Sequence, residues 1–276
     1  MHEFDPGYGV EPFATLVAEY PGVEVYPAAD FRVEWGPIFH RGRLDGSARV
    51  LVIGQDPGQH ETIARRILVG EAGQRAQGFL AKLGISRSYV MVNTFLYSVY
   101  GQSGGERHRA DPDLVAYRNR WLDALLVGSG VEAVVAFGHL ADEAFAAWRA
   151  TPAGKGVPLA YEHVTHPTEP ESSSRGNPAK LAAATAAMLA QWNSAIGRLR
   201  PAIAHPDLPP PPALYGTNFG PGDKLPIPEA DVPAGLPPWM RSLRTWAVRK
   251  GDTPAAKRAT IVVTVPSDAL PPPPPS

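Results

Sequence analysis

Three side chains of complementary chemistry stand where a fold could gather them: an acid, Asp56, an amide, Asn93, and an imidazole, His166. Asp56 lies in Gly54-Gln55-Asp56-Pro57-Gly58, a tight Gly/Pro loop directly after the apolar run Val50-Leu51-Val52-Ile53. Asn93 follows Tyr89-Val90-Met91-Val92, and His166-Pro167 follows Tyr161–Thr165. A carboxylate in such a loop can hold a water or stabilise a developing cation. The amide offers a donor and an acceptor side by side, which suits the edge of a planar amide. The imidazole can donate to an oxygen that gains negative charge. Each residue also has a structural reading, as a turn cap, a strand-end cap and a packed histidine, and taken singly the three leave both readings open.

The elements that must position them alternate along residues 45–198. Strand signals cover Arg49–Ile53, Tyr89–Val92, Ala133–Phe137 and Ala160–Thr165. Helix signals lie between them, over Gln74–Leu83, Leu114–Val127 and His139–Trp148, with a long one running through Leu181, Met188, Leu189 and Trp192. Asp111-Pro112 and Asn177-Pro178 each read as an N-cap followed by proline at the first helical position. Alternation of this kind predicts an α/β fold with a mainly parallel sheet. Loops beyond the carboxyl ends of parallel strands are where such sheets bind ligands, and all three chemical residues fall there.

Composition narrows the classes. The chain has 276 residues and a formal net charge of -1, so nucleic acid would have to be bound by a local basic patch. It has no cysteine, which excludes disulfides, thiolate zinc sites and a cysteine-held iron–sulfur cluster. No secretory signal opens it and no apolar run is long enough to span a bilayer, so a cytoplasmic, monomeric protein without membrane contact is expected. After about residue 200 the composition changes, and 19 of the 31 prolines fall in that remainder, among them Pro209–Pro212 and Pro271–Pro275. The expected organisation is a core domain over 1–200 and a Pro-rich extension over 201–276, partly packed on the core and disordered at its end. Within the extension, Pro237–Arg249 reads as a short helix with Trp239, Leu243 and Trp246 on one side, and Thr260–Val265 as a strand.

Gly54-Gln55-Asp56-Pro57, Asn93-Thr94-Phe95-Leu96 and His166-Pro167-Thr168 resemble, in order and at matching spacing, the GQDPYH, LLNxxLTV and HPSPLS motifs of the uracil-DNA glycosylase superfamily. Residues 54–73 also resemble the GEAPGxxE…PFVGxAG stretch of the family 4 type, with Glu61 on that pattern's acid, and Ser174-Arg175-Gly176-Asn177-Pro178 resembles the end of its wedge loop. The resemblance implies a three-layer α/β/α fold around a mainly parallel four-stranded sheet. It implies an enzyme that flips a nucleotide from uracil-containing DNA and hydrolyses its N-glycosidic bond, leaving an abasic site, with neither metal nor cofactor. Asp56 and His166 would be catalytic, the first orienting water and stabilising the sugar cation, the second stabilising the leaving base. Asn93 would read the uracil edge and Gln55 would line the pocket.

The chain departs from the pattern in several places. Gly58 stands where the family 1 type has a thymine-excluding tyrosine, which implies a broader range of bases. Leu68 stands at the stacking position and offers no ring, leaving Phe79 or Phe95 as substitutes, although core packing is the stronger reading for both. The iron–sulfur cysteines of the family 4 type are missing. The wedge loop lacks its leucine, and Arg175 is the candidate replacement. Arg65-Arg66, Arg107-His108-Arg109, Ser174 and Arg175 are the candidate DNA contacts. A related branch bonds covalently to DNA through a histidine in the loop that holds His108, although His108 is out of register with it. Two other readings stand beside the enzyme: a low-turnover binder of uracil or abasic DNA, and an adaptor whose Pro-rich tail engages a protein partner.

Overall fold

Val50–Ile53 folds as a strand because consecutive branched apolar residues suit a sheet covered on both faces. In the computed structural model, which describes residues 7–269 apart from the side chains at 102, 103, 254 and 258, this segment forms the central strand β2 (Val50–Gly54). Parallel neighbours flank it: β3 (Tyr89–Asn93) on one side, and β4 (Ala133–Phe137) followed by β5 (Ala160–Val164) on the other. A short strand, β1 (His40–Gly42), lies antiparallel on β3 and completes the order β1-β3-β2-β4-β5. The register sets Gly54 opposite Asn93 and Phe137 opposite Val164, so the loops carrying Asp56, Asn93 and His166 leave from one end of the sheet.

Alternate strand residues serve two cores. Leu51, Ile53, Val90, Val92, Val134 and Ala136 pack with Leu114, Trp121 and Leu122 of α5 (Pro112–Leu126) and Phe145 and Trp148 of α6 (His139–Arg149). The short helices α1 (Phe13–Ala18) and α4 (Gln102–His108) lie N-terminal to these. Val50, Val52, Met91, Ala133, Val135 and Phe137 pack with Phe79 and Leu80 of α3 (Glu71–Lys82) and with Leu189, Trp192 and Ile196 of α9 (Pro178–Leu199). The remaining core helices are α2 (Gln59–Ala64), α7 (Pro152–Lys155) and α8 (Glu169–Ser174). Both expected caps form: Asp111 accepts from Asp113 N and Leu114 N, and Asn177 from Lys180 N, each ahead of a proline at the first helical turn. Among the described residues no helix is long and apolar enough to cross a membrane.

The sheet has five strands rather than the four expected. His-Arg-Gly carries no apolar alternation, and Arg41 is wholly buried. It is held there by Asp231, 2.9 Å away and also fully buried, which in turn accepts from Arg43 and the Tyr89 hydroxyl. Arg41 also donates to Ile67 O at 3.0 Å and Gln77 Oε1 at 3.0 Å. Residues after 200 therefore bond directly with the sheet edge. Asp207 accepts the N–H groups of Ser86, Arg87 and Ser88 at 2.7–3.0 Å. A Cβ on Gly78 would strike the carbonyl of Asp223, which explains a glycine inside α3.

The helix expected over Pro237–Arg249 does not form as such. Only Pro238–Arg241 is helical (α10), and Ala247–Arg249 becomes strand β6, antiparallel to β7 (Ile261–Val263), with α11 (Pro254–Ala259) between them. Trp246 turns inward to dock on the core, which overrides its apparent helical spacing. The expected disordered end, with Pro271–Pro275, lies outside the described residues.

Removing one partner of a buried pair leaves an unpaired charge in the interior. Asp231→Ala is expected to cost about 3–5 kcal/mol, read from urea unfolding. A loss under about 1 kcal/mol would show that Arg41 finds water or another partner.

Candidate active site

The loop after β2 is pinned from two sides. Thr94 N donates to Gly54 O at 2.9 Å and Phe95 N to Gln55 O at 3.0 Å, joining it to the loop after β3. Glu61, in the first turn of α2, accepts Gly58 N at 3.0 Å through one oxygen, and Val69 N at 2.9 Å and Gly70 N at 3.1 Å through the other. A Cβ on Gly58 would lie 2.8 Å from that carboxylate, which would have to shift to make room for it. A Cβ on Gly73 would fall on Leu68 O, and Leu68 itself takes a left-handed φ of 51°. The Gly-rich turn between α2 and α3 is thereby folded tightly against the acid's loop.

Asp56 Oδ2 accepts Val99 N at 2.9 Å. Burial pushes its carboxyl up to about 6, against the opposing pull of the Val99 N–H and of the nearby Arg249 charge. His166 Nδ1 accepts Thr168 N at 3.3 Å, which leaves Nε2 to carry the proton in the neutral ring and to donate. Burial and the Arg75 charge hold this imidazole down to about 4, so it is neutral wherever Asp56 is ionised. Arg75, from α3, is the strut of this loop: it is buried, donates to Pro167 O, and pairs with Glu171 and Glu71 at 2.6 Å each.

Gln55, Asp56, Gly58 and His166 line one cleft of about 700 Å³, together with His139, His163, Thr168 and Arg249. A smaller lobe of about 320 Å³ shares Asp56, Gly58 and His166 and adds Leu68. Asn93 lines neither. It is buried beside Gly54, where a Cβ would collide with its Oδ1, and that oxygen has no hydrogen-bond partner. Leu68 Cδ1 lies 3.7 Å from the same Cβ position on Gly54, and Leu68 lines the smaller lobe.

Several expected contacts fall elsewhere. Phe79 is wholly buried between Phe137 and Trp192, and Phe95 packs on Phe31, so neither reaches a base. Among the described residues no Phe, Tyr or Trp lines either lobe. Among the candidate DNA contacts, Arg66 is buried and donates to Arg65 O, while Arg65 donates to Trp35 O and Pro37 O, both at 2.7 Å. Arg107 and His108 end α4 rather than lying in a loop, and both pair with Asp30. His108 lines neither lobe. Arg109 pairs with Glu106 and Glu143. Ser174 is buried and donates to Glu171 O, because the wedge region winds into α8. Arg175 is exposed, with a left-handed φ of 49°.

Sequence reasoning missed His139, which follows Gly138 at the carboxyl end of β4, although the strand-end rule that singled out His166 applies equally there. It also missed Arg75 and Arg249, which carry no local signal. Residues 41–195, more than half of the chain, match the family model described as the Uracil DNA glycosylase superfamily. No curated protein matches the chain.

Because the Asp56 pKa is raised, the stability of its protonated form is complete below the ordinary carboxylate range and is lost as pH rises through about 6. Asp56→Asn is therefore expected to match the native protein near about pH 4 and to exceed it near about pH 8, by on the order of 2 kcal/mol. Denaturant midpoints at the two pH values check this, and an equal gain at both would contradict it.

Proposed function

Because the chain belongs to the uracil DNA glycosylase superfamily, we propose that it is a monofunctional DNA glycosylase that hydrolyses the N-glycosidic bond of uracil in DNA and leaves an abasic site. The observation that carries this reading is an acid and an imidazole on one cleft, the imidazole neutral throughout the range in which the acid is ionised. Asp56, ionised above about 6, faces the sugar, holds the attacking water and opposes the positive charge that grows on it. The C1′–N1 bond breaks with its electron pair going to the base. His166 Nε2–H donates to O2 as negative charge gathers there. Water oxygen bonds to C1′, and its proton leaves by way of Asp56. The everted base then takes up a proton from solvent.

Asn93 is the reader of the base edge. Its buried Oδ1, without a partner, suits the N3–H of uracil, which meets it once Leu68 gives way. Cytosine has no N3–H and would leave that oxygen unpaired, which is the strong form of rejection. With no aromatic ring lining the lobes, and with glycine at 58, the base is held by edge contacts more than by stacking. The range therefore extends to 5-substituted uracils and deaminated purines.

Single-turnover cleavage of oligonucleotides carrying uracil, hypoxanthine, xanthine or a thymine mispair, developed with alkali, tests this. The native rate should be level above about pH 6 and fall about tenfold per unit below it as Asp56 takes a proton. Asp56→Asn and His166→Ala should each lose about 10²–10³-fold, and Asn93→Ala should narrow the gap between uracil and cytosine. Full activity in both catalytic variants would defeat the assignment.

A further inference from the structure

The extension brings its own strand pair to the rim of the cleft. Trp246 is buried with its ring set edge-on to His60, centroids 4.8 Å apart, and Ala247 N donates to His60 Nε2 at 3.3 Å. Burial holds His60 below its ordinary range, so Nε2 stays an acceptor. Gln74 Nε2 donates to Ser242 O at 2.9 Å, and Thr264 N to Trp246 O at 2.9 Å. His60 belongs to α2, which begins just after the Asp56 loop. The hairpin is therefore docked on the segment that carries the acid.

Arg249, the last residue of β6, lines the main cleft with Asp56 and His166. It also lines a trough of about 550 Å³ with Arg32, Gln59, Tyr100 and Lys257, and Gly101 and Arg249 are common to both hollows. Among the described residues no carboxylate lines the trough. The Arg32 guanidinium lies 4.4 Å and 4.5 Å from the ring centroids of Trp35 and Tyr100. Arg249 and Lys257 are exposed, and neither side chain makes a hydrogen bond or ion pair with any described residue. Two other cations of the extension are neutralised, Arg241 by Glu229 and Arg244 by Asp268. Arg249 and Lys257, two exposed cations in a trough that opens onto an anionic catalytic group, fit a polyanion better than bare solvent.

We infer that this trough takes the sugar–phosphate backbone of the DNA strand beside the everted nucleotide, with Arg249 and Lys257 each on a phosphate. This rests on the glycosylase reading and deepens it: the extension becomes part of the substrate site. Phosphate held by Arg249 would also be kept beside Asp56 despite their like charges.

Fluorescence anisotropy with the full chain and a labelled oligonucleotide carrying a tetrahydrofuran abasic analogue tests the inference without any scissile base. The slope of log K against log salt should become shallower by about 0.7–0.9 for each phosphate contact removed. Arg249→Gln and Lys257→Gln should each show that change and bind several-fold more weakly at about 0.1 M salt, with thermal melts unchanged because both side chains are exposed. Arg244→Gln, in the same extension, should behave as the native chain, and Asp56→Asn should keep the native slope. Native slopes in both trough variants, or no binding by the native chain, would overturn the inference. Altered slopes in a protein that releases no uracil would instead leave the trough standing and remove the glycosylase reading.

Discussion

One carboxylate organises the catalytic end of the sheet. Glu61 accepts three backbone N–H groups, one from the loop after β2 and two from the turn before α3. The turn before α3 buries Ile67, Leu68 and Val69 in the cores, and the charged acceptor adds a directional tie to the loop after β2, among the strongest local ties a protein can make. With Glu61 in place, Gly58 and Gly70 are brought against one side chain, Leu68 is turned into its left-handed conformation, and α3 starts where Arg75 can reach the His166 loop. Asp56 and His166 thus owe their shared cleft to two supports, Glu61 and Arg75, neither of which needs to touch the substrate.

Electrostatics of the cleft follow from this arrangement. Partial burial raises the acid and lowers the imidazole, so the pair never needs to exchange a proton in order to be in the useful forms. The Thr168 N–H settles which ring nitrogen is protonated. These are features of solvent exclusion and backbone placement, and any residue that opens the cleft to water would weaken both shifts together.

The extension is tied to the rest by interactions of a different kind. Asp231 sits on Arg41 and Arg43, Asp207 caps three N–H groups before β3, and Trp246 covers His60. The resemblance to the family 4 type raised the question of what stands in for its cysteine-held cluster. Here a buried ion pair and a docked tryptophan join the segments around α2, α3 and the sheet edge. Composition alone pointed to a proline-rich extension partly packed on the core without naming its contacts, because proline content reports what the backbone avoids and is silent on what single acids and aromatics in between will find.

What the chain determines by itself is local. Runs of apolar residues rich in valine specify β2 to β4, cap-then-proline pairs specify the starts of α5 and α9, and glycine or proline directly after a strand marks where Asp56 and His166 must emerge. Such signals act through backbone sterics and nearest-neighbour burial, which operate within a few residues. Tertiary structure alone decided the rest: that His40–Gly42 is a strand, that Asn93 lies behind Gly54, that Arg66 and Ser174 are buried, and that Arg249 meets Asp56 across nearly 200 positions. An ion pair such as Arg41 with Asp231 leaves no periodicity in the chain, because its free energy exists only once distant segments have excluded water from both charges.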